Sequence, residues 1–181
     1  MQLVILDRDG VINEDSDDYI KSPAEWLPIP GSLDAIARLH HAGWHVVVAT
    51  NQSGIARKLF DLDTLNRIHE KMHRAVTDAG GLIDAVFFCP HGPDDGCECR
   101  KPEPGLYRDI AWRLRVDLAG IPSIGDSLRD IQAARAVGAQ PIHVKTGKGL
   151  RTLEQAGYPQ DVPVFDNLAA AVDSHLDKHL R

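Results

Sequence analysis

Five short apolar runs constrain this chain more than any other feature. They read "LVIL" (3–6), "HVVVAT" (45–50), "AVFF" (85–88), "IPSIG" (121–125) and "PIHV" (141–144). Each is too short for a stable helix and too continuously apolar for a sheet with a wet face. They therefore predict strands buried on both faces. Helical periodicity fills the gaps. The clearest case spans 61–79, where Leu62, Leu65, Ile68, Met72, Val76 and Ala79 recur at steps of three or four. In 105–116, Leu106, Ile110 and Leu114 follow Pro104 at four-residue spacing, and 127–139 stops near Gly138. The alternation predicts an α/β fold, a doubly wound Rossmann-like parallel sheet covered by helices. With 181 residues, 43% of them hydrophobic, the whole of 1–181 is expected to form one domain.

Such sheets bind ligands beyond the carboxyl ends of their strands, so the polar residues found there should converge. The first strand leads into Asp7 and Asp9, the second into Thr50, Asn51, Gln52 and Ser53. The third leads toward Arg100 and Lys101, and the fourth into Asp126 and Asp130. Taken singly, each has an ordinary explanation as a turn residue, a helix cap or a surface charge. Taken together, crowded carboxylates raise one another's pKa unless a cation lies among them. Oxygen ligands favour a hard ion, and Mg²⁺ suits a site shared with a phosphate. Lys101 offers a point charge and Thr50 a hydroxyl to phosphate oxygens. The set reads as a phosphoryl-transfer site. By the period of two in an extended chain, Asp7 and Asp9 share one side. Arg8 is expected opposite, in a structural ion pair, and Gly10 lets the backbone turn away.

The chain's three cysteines, Cys89, Cys97 and Cys99, fall within one short stretch, "CPHGPDDGCEC". An odd, clustered set makes a poor disulfide framework. With His91 they complete a tetrahedral Zn²⁺ shell with no open position, which predicts a structural zinc loop over about 89–101. That loop should fix Arg100 and Lys101.

"DRDGV" (7–11), "ATNQSG" (49–54), "RKP" (100–102) and "GDSLRD" (125–130) resemble, in order and spacing, the four motifs of the haloacid dehalogenase superfamily of phosphatases. The resemblance implies that Asp7 attacks phosphorus to form an aspartyl phosphate. It implies that Asp9 acts as acid and then base, that Thr50 and Lys101 hold the phosphoryl group, and that Asp130 directs Lys101. Mg²⁺ would be bound by Asp7, the backbone carbonyl of Asp9, and Asp126. Within the superfamily, the zinc loop running into "CRKP", the "KPxPG" in "RKPEPGLY" and the segment "VKTGKG" (144–149) look like one branch. That branch holds the heptose 1,7-bisphosphate 7-phosphatases of lipopolysaccharide precursor (ADP-heptose) synthesis and the similar histidinol-phosphate phosphatases. The heptose branch fits better. The family pattern further implies that Asp15, Ser16, Asp17 and Asp18 contact the sugar, and Asn51, Gln52 and Ser53 also read as substrate contacts. Arg100 would grip a second phosphate, with Arg57 and Lys148 in reserve. The competing non-enzymatic reading is a zinc-stabilised binding protein on the same fold, which the intact motif set disfavours.

The gaps between motifs leave no room for a separate cap domain, so the site is expected to be open and suited to a small sugar phosphate. A net charge of −6 argues against nucleic-acid or anionic-membrane partners. No apolar run reaches the roughly 18 residues of a membrane span, and no basic, apolar leader is evident. A cytoplasmic monomer is expected.

Overall fold

The computed structural model describes residues 1–176. Each expected run forms a strand: β1 (Leu3–Leu6), β2 (His45–Asn51), β3 (Ala85–Cys89), β4 (Pro122–Gly125) and β5 (Gln140–Val144). A further strand, β6 (Val164–Phe165), was not expected. At two residues it carries no readable pattern, and its place comes from pairing with His143 and Val144 of β5. All five pairings are parallel, in the order β3-β2-β1-β4-β5-β6.

The strands separate two cores by their alternation. Val4 and Leu6 face one core with Ile36 and Leu39 of α1 (Ser32–His41) and Ile68, Met72 and Val76 of α2 (Leu62–Asp78). Leu3 and Ile5 face the other, with Leu106, Tyr107 and Ile110 of α3 (Gly105–Leu114) and Ala133 and Ala134 of α4 (Leu128–Arg135). Each fully buried aliphatic side chain contributes about 1.5–3 kcal/mol of hydrophobic free energy. Burial on both faces holds along β1 and β4, but β3 is half-exposed because it is an edge strand with one neighbour.

The predicted helix over 61–79 is α2, shortened by one residue at each end. Asp61 is its N-cap, accepting the Thr64 N–H at 2.8 Å, and Ala79 is its C-cap. Leu62 is exposed, and His69 joins the buried stripe instead. After β5 come α5 (Gly149–Leu153), β6 and α6 (Leu168–Ala171).

Chain order runs outward from β1 to β3, then jumps back past β1 to β4. The β1/β4 boundary is therefore the topological switch point, where the strand ends part and leave a crevice. Asp7 follows β1 and Asp126 follows β4, and the Asp7 N–H donates to the Ile124 carbonyl at 2.9 Å. The topology alone puts these two carboxylates side by side.

Candidate active site

Lys101 lies 2 % exposed at the centre of the crevice. Its Nζ donates to Asp130 at 2.5 Å and to the Ala49 carbonyl at 2.7 Å, and lies 3.1 Å from Asp7 Oδ2. Burial opposes its charge, yet Asp130 and Asp7 outweigh burial and hold it well above the usual lysine range. Asn51 clips the Lys101 backbone from both sides: its Nδ2 donates to the Lys101 carbonyl and its Oδ1 accepts the Lys101 N–H, each at 3.0 Å. Asp130 itself closes a capping box with Ser127 at the start of α4. Its cap role and its contact with Lys101 are compatible, because each uses a different oxygen.

Burial pushes the Asp7 carboxyl up to about 7; Lys101 pulls it down, while Asp130 and Asp9 add to the rise. Asp126 is raised well above its ordinary range by burial, Asp130 and Asp7. A pocket that disfavours its own carboxylates in this way is one built around an added cation. Ligand atoms of Asp7, Asp126 and Asp130 lie within 4.8 Å of one another. Since Asp130 is engaged by Lys101, Asp7 and Asp126 are the pair left for a hard divalent ion, and two carboxylates suit Mg²⁺.

Asp126 is held by a loop from far along the chain. Its Oδ2 accepts the Lys148 N–H at 2.7 Å, and the Thr146 hydroxyl donates to the Gly10 carbonyl at 2.6 Å. Gly10 and Gly147 both take positive φ, and a Cβ on either would lie 2.1 or 2.3 Å from Asp126 Oδ2. This close approach explains both glycines.

The Asp9 carboxylate is pinned by four donors. Arg8 contributes Nε and Nη2, each at 3.0 Å, Asn13 Nδ2 binds at 2.9 Å, and Gln52 Nε2 at 3.0 Å. Burial works against the ionised form, but Arg8 first, then Asn13 and Gln52, hold Asp9 below the usual carboxylate range. The expected ion pair of Arg8 is present, but the expectation that Arg8 points away from Asp9 fails. The strand ends at Leu6, the alternation stops with it, and the guanidinium folds back onto its neighbour. Its Nη1 also meets His69 Nε2 at 3.2 Å. Burial, and then the Arg8 charge, push His69 down to about 3, so the ring is neutral and accepts from Arg8. Gln52 further donates to Thr50 Oγ1 at 2.9 Å, linking the Thr50 hydroxyl to Asp9.

Cys89, His91, Cys97 and Cys99 bring four ligand atoms within 4.8 Å of one another. The Cys97 thiol is drawn down to about 7: burial opposes this, but the Arg100 N–H and the neighbouring thiols prevail. Three sulfurs and one imidazole nitrogen so gathered suit tetrahedral Zn²⁺.

Asp7, Asp9, Asp15, Ser16, Asp17, Thr50, Asn51, Gln52, Ser53, Arg100, Lys101 and Asp126 border one cavity of 160 Å³. Of the proposed sugar contacts only Asp18 falls outside its lining; it is exposed, its N–H on Ser16 Oγ. Asp17 reaches outward to a two-pronged ion pair with Arg151, and Asp15 pairs with Lys148 at 3.2 Å. Arg57 does not border the cavity but lies over the Tyr19 ring. Lys148 borders it, together with Tyr19, Ile20, Ser127 and Arg129, which the motifs did not single out. Of the supporting residues, Asn13 stood in the "DRDGVIN" stretch, while His69 gave no sign beyond its place on the buried stripe of α2.

Two family models match the chain, one described as polynucleotide kinase 3 phosphatase over residues 3–126 and one as HAD-hydrolase-like over residues 98–171. The D-glycero-beta-D-manno-heptose-1,7-bisphosphate 7-phosphatase of Bordetella bronchiseptica is 61% identical, over 98% of this chain and 99% of its own. The chain belongs to this heptose-bisphosphate branch of the HAD phosphatases. The enzyme of the same name from Pseudomonas aeruginosa is 56% identical, over 96% of this chain and 97% of its own. A crystal structure of the B. bronchiseptica phosphatase, complexed with magnesium and phosphate, superposes with a TM-score of 0.95, covering 98% of this chain and 99% of that one. The magnesium and phosphate of that relative are species that the carboxylate pair and Lys101 of this chain are suited to hold.

Proposed function

We propose that this protein is a Mg²⁺-dependent phosphatase that removes the 7-phosphate of D-glycero-β-D-manno-heptose 1,7-bisphosphate, using residues 1–181 as one phosphatase domain. The carrying observation is the buried Asp7–Lys101–Asp126 constellation in a chain so close to named enzymes of this activity. Asp7 Oδ attacks phosphorus as the bond to the sugar C7 oxygen breaks, and Asp9 gives that oxygen its proton. Water then attacks the aspartyl phosphate, Asp9 takes its proton, and inorganic phosphate leaves with the Asp7 carboxylate restored. The four donors around Asp9 favour its ionised form, the one the second step uses. Lys101 and the Thr50 hydroxyl hold the phosphoryl oxygens, and Asp130 and Asn51 keep Lys101 in place. Asp7, Asp126 and the Asp9 carbonyl would hold Mg²⁺, which when bound neutralises phosphoryl charge.

The Cys89, His91, Cys97 and Cys99 cluster reads as a structural zinc site that sets the position of Arg100 and Lys101. Of the cavity residues named from the sequence, Asp15, Ser16, Asp17, Ser53 and Arg100 are left to meet the sugar and its second phosphate. Among the described residues no helix is long and apolar enough to cross a membrane.

The test is phosphate release from heptose 1,7-bisphosphate and histidinol phosphate, with and without Mg²⁺, for the wild type, Asp7→Asn and Asp9→Asn. Mg²⁺-dependent turnover of the bisphosphate, lost in both variants, is expected. Preference for histidinol phosphate, or full activity in Asp7→Asn, overturns the reading.

A further inference from the structure

The charges around the cavity do not cancel evenly, and the imbalance has a direction. Lys101 is engaged by Asp7 and Asp130, Lys148 by Asp15, Asp17 by Arg151, and Asp9 by Arg8. Asp7 and Asp130 share the single charge of Lys101, so with Asp126 an excess of negative charge remains at one end, which the proposed function gives to Mg²⁺. Two cavity cations are left with no carboxylate in an ion pair among the described residues: Arg100 and Arg129. Among the described residues Arg100 donates only to the His91 carbonyl, at 3.3 Å, and Arg129 is exposed with no hydrogen-bonding partner.

These two side chains share more than one wall. Both border the cavity, and both border the groove that adjoins it beside the zinc loop. Burial depresses the Arg100 guanidinium, and the Arg129 charge is the next largest cause. Two like charges close enough to repel, left without a counter-ion, are most readily stabilised by a shared anion. The adjoining groove is also lined by Glu98 and Glu103, which would repel an anion there. On the cavity side, Asp15 and Asp17 are already neutralised. The favourable place for a second anion is therefore the cavity side, across from the Asp7–Asp126 end.

We propose that Arg129, on the first turn of α4, is a specificity-determining residue that joins Arg100 to clamp the substrate phosphate that is not hydrolysed. The inference rests on the bisphosphatase reading above and adds a residue to it. Two guanidinium forks can hold the three oxygens of a phosphate monoester with paired, charge-assisted bonds. The clamp orients the substrate so that its other phosphate reaches Asp7, and it discriminates against monophosphates that leave both forks unpaired.

The experiment compares kcat/KM for heptose 1,7-bisphosphate with kcat/KM for p-nitrophenyl phosphate, which has no second phosphate. Arg129→Ala is expected to lower the bisphosphate-to-monophosphate ratio by about 10- to 100-fold, chiefly through KM for the bisphosphate. Arg129→Lys should recover part of the ratio, because the charge survives without the fork, and Arg129→Glu should lower it further. An unchanged ratio in Arg129→Ala, or equal recovery by Lys and Glu, overturns the proposal. A wild-type enzyme that ignores the bisphosphate but cleaves other esters overturns the functional reading instead, and is recognised before any variant is made.

Discussion

Arg8 holds both carboxylate oxygens of Asp9, the residue next to it in the chain, through Nε and Nη2 at 3.0 Å each. Arg8 is wholly buried and His69 is the further side chain that meets its guanidinium, so the pair is a fixed unit set into the core. Removing one partner of such a pair leaves a charge without compensation. Arg8→Met is expected to cost about 3 kcal/mol of stability, the low end for buried pairs because Asp9 reaches solvent on one side. Turnover of the folded fraction should fall about 100-fold, since Asp9 loses two of its four donors and its aim. Urea unfolding and kcat on the same preparation check both; a stable variant with normal kcat would contradict the arrangement.

The raised Asp7 gives a pH dependence with a definite sign. Burial pushes the Asp7 carboxyl in the fold up to about 7, far above the ordinary aspartate value of about 3.9. Between those values the unfolded chain binds fewer protons, so metal-free protein loses stability as pH rises through this window. Mg²⁺ pairs with the ionised carboxylates and reverses the loss. The gain in Tm on adding Mg²⁺ should be larger at about pH 7.5 than at about pH 5.5. Thermal unfolding at the two pH values, with and without the metal, decides it, and equal gains would refute the coupling.

Loss of the proposed zinc site should act on catalysis through geometry alone. Cys97→Ser combined with Cys99→Ser takes away half of the donor set that precedes Arg100 and Lys101. With the loop released, kcat in excess Mg²⁺ is expected to fall about 100-fold, the scale of a misplaced catalytic group. Zinc content measured beside the kinetics tests this; full activity in protein shown to be zinc-free would remove the structural role.

Gly147→Ala introduces a Cβ 2.3 Å from Asp126 Oδ2 and 2.4 Å from the Gly10 Cα, at a φ of +58°. The loop must retreat and lose the Lys148 N–H bond to Asp126. Mg²⁺ affinity should weaken about tenfold or more, as when an outer support of a metal ligand is lost. Calorimetric titration with Mg²⁺ measures the effect directly.

The sheet was legible because its strands are short, apolar and buried, and because parallel topology leaves few ways to arrange them. The motif residues were legible because each sits at a strand end, where the fold forces convergence. The contacts that set their chemistry were less so. Arg8 misled because the strand's alternation ends one residue before Asp7, and side-chain direction past that point follows the turn. Asn51 read as a substrate contact, yet its amide clips the Lys101 backbone, a pairing across 50 residues that no local pattern announces. Arg129 and His69 escaped notice for a like reason: on a helix, a polar residue on the boundary face looks the same whether it faces water or a site. Asp18 came in with the family pattern over 15–18, and it is exposed and outside the cavity lining.

The bond from Thr146 to Gly10 joins positions 136 residues apart. During synthesis Asp7, the proposed nucleophile, leaves the ribosome early, while the loop that completes its proposed metal seat arrives only after β5. A nascent chain therefore carries Asp7 for most of its translation without the surroundings that perturb its carboxyl, and on the proposed mechanism hydrolytic competence arrives in one late step.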